Sequence, residues 1–276
     1  MKSTLLALCL LSPAALACGD AHLPLTGTAT VPTCVPDGSA ACVYAGQATR
    51  AYMEKVPDSD VILTIGLQSS PWRMYDGDLR ILTVDDLAAA LRPKLDGKVR
   101  GIELIGSWTG VSPQPGTSSL ADRLSKALDG FAVKGEDGFL WLAADGSRRT
   151  TRQAYTLREG AGAYFLPEGE DVMVALADGW PAMVEDQVGE DEPDMLMRVA
   201  VAKDVFMLCP DEALAAYERA AGKGSAIAAY NAALMRLERN ADGDRDAALV
   251  LLQRGAALGD ARSQARWDAE RASKAK

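Results

Sequence analysis

The sequence predicts a mixed α/β protein, a small parallel-sheet βαβ domain followed by a short α-solenoid. Three observations carry this expectation. The short, β-branched apolar runs VILTIGL (Val61 to Leu67) and GIELIG (Gly101 to Gly106) read as strands buried on both faces. Segments with apolar residues at helical intervals lie between and after them, giving the strand–helix–strand–helix–strand order of a parallel core. Near the carboxyl end, DEALAAYERAAGKGSA from Asp211 is matched 35 residues later by DAALVLLQRGAALGDA from Asp246, and a period of that length marks helix-pair solenoids.

The 276 residues leave room for two modest domains, and 48% hydrophobic with 24% charged residues is the balance of a folded chain. A formal charge of −9 and scattered basic residues exclude a phosphate-binding surface, so nucleic acid is not an expected partner. Residues 1–17 read as a secretory signal. Lys2 is the charged start, Leu5 to Leu11 the apolar stretch, and Ala15-Leu16-Ala17 the small-x-small cleavage site. Cleavage there leaves Cys18 first, the place of a bacterial lipoprotein's lipidated cysteine, although Ala15 stands where that motif usually has leucine. A lipid on Cys18 is the only membrane attachment expected, and both the anchored and the soluble outcome place the chain in a bacterial periplasm or envelope.

Export puts Cys18, Cys34, Cys42 and Cys209 in an oxidising compartment. Cys34 and Cys42 flank a short loop and form the easiest disulfide to close. Residues 18–57 around them read as an irregular lead-in, and 58–180 as the α/β domain. Within it, LRILTV (Leu79 to Val84) is a further strand candidate. Thr83-Val-Asp-Asp86 has capping-box spacing, and Val84, Leu87, Ala88, Leu91 and Leu95 make one helical face that Pro93 ends. After GIELIG comes the Pro/Gly loop VSPQPGTSS, then a second helix bearing Leu120, Leu124, Ala127 and Leu128. FAVKG and FLWLAADG follow as strands, with Asp145-Gly146 as a hairpin turn and more β structure expected over Tyr155 to Gly179.

Residues 181–208, which contain VEDQVGEDEPD (Val184 to Asp194), read as an acidic, solvated linker, and 209–273 as the repeat module. The pairs Leu214/Leu249, Arg219/Arg254, Gly224/Gly259 and Ala226/Ala261 align at the same offset, and each glycine suits a left-handed helix cap. The unit from Ser225 through Tyr230-Asn231-Ala232-Ala233-Leu234-Met235 to Gly259-Asp260-Ala261 resembles the Sel-like repeat of the tetratricopeptide-related superfamily. That resemblance implies an α-solenoid that binds proteins. With so few units, the module is expected to dock on the α/β domain through Tyr230, Leu234, Leu249 and Leu252. Asn240, Asp242, Asp244 and Asp246 alternate as in a calcium loop. Gly243 is out of place, however, and Leu251 replaces the closing acid, so the stretch reads as an inter-helix loop with a cap.

The chain has one histidine, His22, which lies in the lead-in. Ser-His-Asp and Cys-His chemistry needs a base beside the nucleophile. The sequence contains no G-x-S-x-G, phosphate loop, dinucleotide fingerprint or zinc spacing, so no cofactor or metal is expected. The order strand, Gly-Ser-Trp-Thr-Gly, Pro/Gly loop and SSLADRLSKALDGFAVKG is similar to the second half of caspase-type α/β folds. On that comparison Gln68 or Ser69 stands near the catalytic histidine's place and Ser107 near the cysteine's. With both residues missing, the resemblance implies an inactive relative.

The loops after the two buried strands bring Trp72, Arg73, Tyr75, Asp76, Ser107 and Trp108 to one sheet edge, where α/β proteins bind ligands. Trp, Tyr and Arg are enriched at binding hot spots, and aromatics are only 6% of this chain. The function expected is therefore an exported, non-enzymatic protein-binding module of the cell envelope, in a scaffold or immunity-type role. The alternative is a serine hydrolase using Ser107.

Overall fold

The computed structural model describes residues 42–43, 52–54, 59–95, 97–143, 147–151, 156–157, 164–165, 172–173, 192–205 and 208–274. The signal segment, Cys18, Cys34, the acidic stretch up to Asp191 and the Asp145-Gly146 turn lie outside these residues. Strands β1 (Cys42–Val43) and β2 (Ile62–Gly66) lead into β3 (Gln68–Ser69), β4 (Met74–Tyr75) and β5 (Ile81–Leu82). Helix α1 (Val84–Leu91) is followed by β6 (Gly101–Ile105), α2 (Leu120–Ala127) and β7 (Val133–Lys134). Next come β8 (Phe139–Ala143), β9 (Arg148–Thr151), β10 (Thr156–Leu157), β11 (Tyr164–Phe165) and β12 (Val172–Met173). Five helices close the chain: α3 (Pro193–Val205), α4 (Pro210–Gly222), α5 (Ala226–Arg239), α6 (Asp244–Ala257) and α7 (Ala261–Lys274).

The parallel sheet has the order β1-β2-β6-β7. Its register pairs Leu63 with Ile102, Thr64 with Glu103 and Ile65 with Leu104. Alternation along a strand then gives the two faces different characters. Leu63, Ile65, Ile102 and Leu104 share a core with Leu87 and Leu91 of α1 and Leu120 and Leu124 of α2. Thr64 and Glu103 occupy the opposite face. Both helices start where the sequence signals place them. Thr83 accepts the Asp86 N–H, and Ser119 forms a reciprocal capping box with Asp122. Pro93 converts the end of α1 into a 3-10 turn over Arg92–Lys94.

Three expectations need correction. Within the lead-in, β1 is an edge strand, its Cys42 in register with Ile65. Of the LRILTV candidate, only Ile81 and Leu82 are strand, and they belong to a separate antiparallel sheet, β3-β4-β5. Part of the span read as linker is α3. Its Leu196, Met197, Val199, Ala200, Val201 and Val205 are all buried, as are Lys203 and Asp204, so this helix is covered on several sides. Strands β8 and β9 do pair as an antiparallel hairpin, and β12 adds to β8.

Each C-terminal helix packs chiefly on the next, from α3 to α7. The 35-residue repeat is visible in the caps. Gly224 and Gly259 both have positive φ, +104° and +88°. Beside them the Ser225 and Asp260 N–H groups reach back to the Ala220 and Gly255 carbonyls, both at 3.0 Å. The same Schellman closure thus ends α4 and α6. The following residue caps the next helix in both units: the Ser225 hydroxyl accepts the Ala228 N–H and the Asp260 carboxylate accepts the Ser263 N–H. Asp244 caps the calcium-like stretch from within, taking the Ala241 N–H and the guanidiniums of Arg236 and Arg239. These arginines hold its carboxyl well below the usual range.

Candidate functional site

The helical run is joined to the α/β part by a continuous core that includes Tyr75, Ile81, Trp108, Val111 and Phe139 from one side and Tyr217, Tyr230, Leu234 and Leu252 from the other. Leu249, expected in this contact, is only half-buried. Polar groups fix the alignment. The Asn231 side chain accepts the Ile81 N–H at 2.8 Å and donates to the Leu79 carbonyl at 2.9 Å, holding the β4–β5 turn as a paired strand would. Leu79 sits in that turn with φ +61°. Arg80 meets both carboxylate oxygens of Asp260, at 2.7 and 2.8 Å, and lies over the Tyr230 ring. Asp76, which accepts the Asp78 and Arg80 N–H groups within the turn, also pairs with Arg262 at 3.3 Å.

Arg73 bridges deeper in the same contact. It reaches Asp204 of α3 at 2.6 Å and Glu238 of α5 at 2.9 Å, and the Tyr75 hydroxyl donates to the other Asp204 oxygen at 2.7 Å. Burial opposes the Arg73 charge, but Asp204 and Glu238 more than offset it and hold its pKa above the ordinary value. Burial and then the Asp204 charge push the Tyr75 and Tyr217 phenols up, so both stay neutral donors.

The open edge expected from the sequence is therefore corrected. Arg73, Tyr75, Ser107 and Trp108 are buried by the chain's own helices and loops, and Asp76 is engaged in its turn and with Arg262. Trp72 keeps partial exposure. Ser107 is 0% exposed, and its hydroxyl accepts the Leu140 N–H at 3.0 Å while its carbonyl accepts from Ser69 at 2.7 Å. The rest of the GSWTG turn is equally committed. The Trp108 N–H reaches the Gly138 carbonyl, and the Thr109 hydroxyl donates to Gly106 and accepts from Glu136. A Cβ on Gly135 would stand 2.5 Å from the Gly110 nitrogen, which explains glycine at this crossing.

Among the described residues, an accessible cleft with a volume of about 230 Å³ lies where the two parts meet. Met74, Leu82, Leu120 and Leu234 supply apolar walls, and Leu237 and Trp72 also line it. Its charged lining consists of Arg73, Arg123, Arg266 and Glu238. Arg123 donates to the Trp72 carbonyl at 3.2 Å, which ties this exposed arginine to the rim.

A second polar cluster was not anticipated. On the far face of the sheet, Glu103 and Glu136 are 1% and 0% exposed and share Arg148, whose nitrogens lie 3.5 and 2.9 Å from them. Burial pushes both carboxyls up to about 7 against the pull of Arg148. The signal was present as a glutamate inside an apolar strand, GIELIG. Its partners come from β9 and the β7–β8 connection, which sequence spacing does not link to it. Among the described residues, no group of three or more His, Cys, Asp or Glu is arranged to hold a metal ion. Cys209 is buried at the start of α4.

Comparison with known proteins adds one match. A family model described as "Domain of unknown function (DUF8616)" covers residues 39–150, the span from β1 to β9 without the helical run. No curated protein and no solved structure matches the chain.

Proposed function

We propose that this chain is an exported, non-enzymatic protein-binding module of the bacterial cell envelope, and that its partner seats in the cleft between the α/β part and the helices. The observation that carries this reading is the cleft itself. It combines a partly exposed tryptophan, arginines and apolar walls on a frame held rigid by buried ion pairs. Helices of the Sel-like kind serve as protein-binding surfaces, and the 35-residue repeat with its duplicated caps supports assigning α4 to α7 to that kind. A scaffold role or neutralisation of a secreted effector both fit such a module. The serine-hydrolase alternative is disfavoured, because a nucleophile needs an accessible hydroxyl with a base beside it. Ser107 is enclosed and its hydroxyl is already engaged by the Leu140 N–H.

The test is affinity capture from envelope extract with the mature protein as bait, comparing wild type with Trp72→Ala and with Val250→Asp, a change at an exposed position of α6. The reading expects a specific partner that is lost with Trp72→Ala and retained with Val250→Asp. Equal capture by all three baits, with melting curves unchanged, refutes the cleft as the partner site.

A further inference from the structure

We infer that the cleft recognises a carboxylate carried beside a bulky apolar side chain, supplied by an acidic peptide segment of a partner protein. This rests on the reading of the cleft as the partner-binding surface, and it specifies the chemistry that the surface selects.

The argument begins with the hydrogen-bond inventory of the lining arginines. Arg73 is neutralised by Asp204 and Glu238, which uses the only carboxylate among the lining residues. Its Nε–H is nevertheless buried with no acceptor. Arg266 pairs through Nη2 with Glu270 at 2.9 Å, and Glu270 is shared with Arg245 at 3.0 Å. The Arg266 Nε–H is likewise buried and without an acceptor. The described contact of Arg123 is with the neutral Trp72 carbonyl, so among the described residues its charge faces no carboxylate at ion-pair distance. Asp86 of α1 is bonded to Thr83. Both buried Nε–H groups are closed to a ligand, so among the described residues the reachable guanidinium excess of the cleft is that of Arg123. A carboxylate suits that excess, because its two oxygens match the fork of a guanidinium.

Size and polarity supply the other half of the recognition. A volume of about 230 Å³ lies below the range of about 300–1,000 Å³ usual for small-molecule and cofactor pockets. It suits one or two side chains, and the Met74, Leu82, Leu120 and Leu234 walls favour apolar ones. The chain's net charge of −9 works against long-range attraction of an acidic partner. Discrimination must then come from close contacts, with the arginines selecting the anion and the apolar walls its neighbour.

The experiment uses fluorescence anisotropy with the full mature protein and three labelled, acetylated and amidated hexapeptides. Their sequences are Gly-Glu-Leu-Phe-Glu-Gly, the same peptide with both Glu changed to Gln, and the same peptide with both changed to Lys. The acidic peptide should bind at least about ten-fold more tightly than the Gln form, and more weakly as salt is raised. Arg123→Gln should abolish most of that preference, and Arg123→Lys should restore only part of it. Arg123 is exposed, and a melting curve confirms that the variant is folded. Equal or tighter binding of the Gln or Lys peptide, an acidic preference untouched by Arg123→Gln, or no binding of the acidic peptide at about 1 mM overturns the inference. A partner captured from envelope extract that depends on Trp72 but not on Arg123 also overturns it, while leaving the protein-binding function in place.

Discussion

The Glu103–Glu136–Arg148 cluster makes stability depend on pH in an unusual direction. Two carboxylates and one guanidinium are enclosed between the parallel sheet and the β8–β9 hairpin, with Lys134 in register beside Glu103. Burial raises both carboxyls from 4.5 to about 7. A raised carboxyl binds more protons in the folded than in the unfolded chain between those values. Its contribution is therefore present at the acidic end, and stability falls as pH rises through about 7. A rise of roughly two units is worth about 3 kcal/mol for one isolated group. Because the two carboxyls share Arg148 their protons come off in two coupled steps, and about 3 kcal/mol, the share of one group, is the least expected for the pair. That corresponds to a melting temperature roughly 5–10 °C lower at pH 8 than at pH 5. Asp244 and Asp260 have depressed pKa values, so their contributions are lost only as pH falls below the ordinary aspartate range, outside this window.

The assay is calorimetry or urea unfolding of the mature protein at half-unit intervals from pH 5 to pH 8. The same series on Glu103→Gln, Glu136→Gln and the double variant isolates the cause. Glutamine cannot ionise, so the double variant should lose the slope whatever its absolute stability. Wild-type stability that stays level or rises across the window, or a slope retained by the double variant, would refute the reasoning.

Two further outcomes concern the contact between the two parts. Asn231→Leu removes both hydrogen bonds to the β4–β5 turn and leaves the Ile81 N–H and Leu79 carbonyl unmatched, at an expected cost of about 2–4 kcal/mol in urea unfolding. A loss below about 1 kcal/mol would show that the clamp is dispensable. On α6, Leu252→Asp should destabilise by several kcal/mol because it buries an unpaired carboxylate, whereas Leu249→Asp at its half-buried position should cost about 1 kcal/mol or less. Parallel melting curves for the two variants test the ranking, and a reversed order would mean that α6 faces the core with its other side.

The local signals of the chain were largely legible. Ser and Thr caps, Pro93, the central strands Ile62–Gly66 and Gly101–Ile105, and the 35-residue repeat each act within a few residues or by a fixed period, so spacing alone exposes them. The glycines at 224 and 259 were readable for the same reason, since a helix end needs a left-handed residue whatever surrounds it. Helix α3 was missed because its acidic approach resembles a solvated linker and its apolar residues show no one-sided stripe, as befits a helix buried by neighbours on several sides.

The candidate site was legible as composition and hidden as geometry. Trp72, Arg73, Tyr75, Asp76, Ser107 and Trp108 stand out by residue type, yet most of them are internal. Asp204, Glu238, Asn231 and Asp260, more than a hundred residues away, supply the partners that enclose or position this edge. The two central parallel strands, most helix caps and the 35-residue period of the last helices were set by the sequence alone, because these follow from short-range sterics, capping and periodicity. Only the tertiary structure decided which face each unit presents. Docking the helices onto the sheet edge buries Arg73 beside two carboxylates and leaves Arg123, Arg266 and Trp72 around an open cleft, while β8 and Ser69 engage the buried Ser107. Whether a charged side chain is a structural bolt or a binding group depends on what the rest of the chain brings within about 3 Å of it.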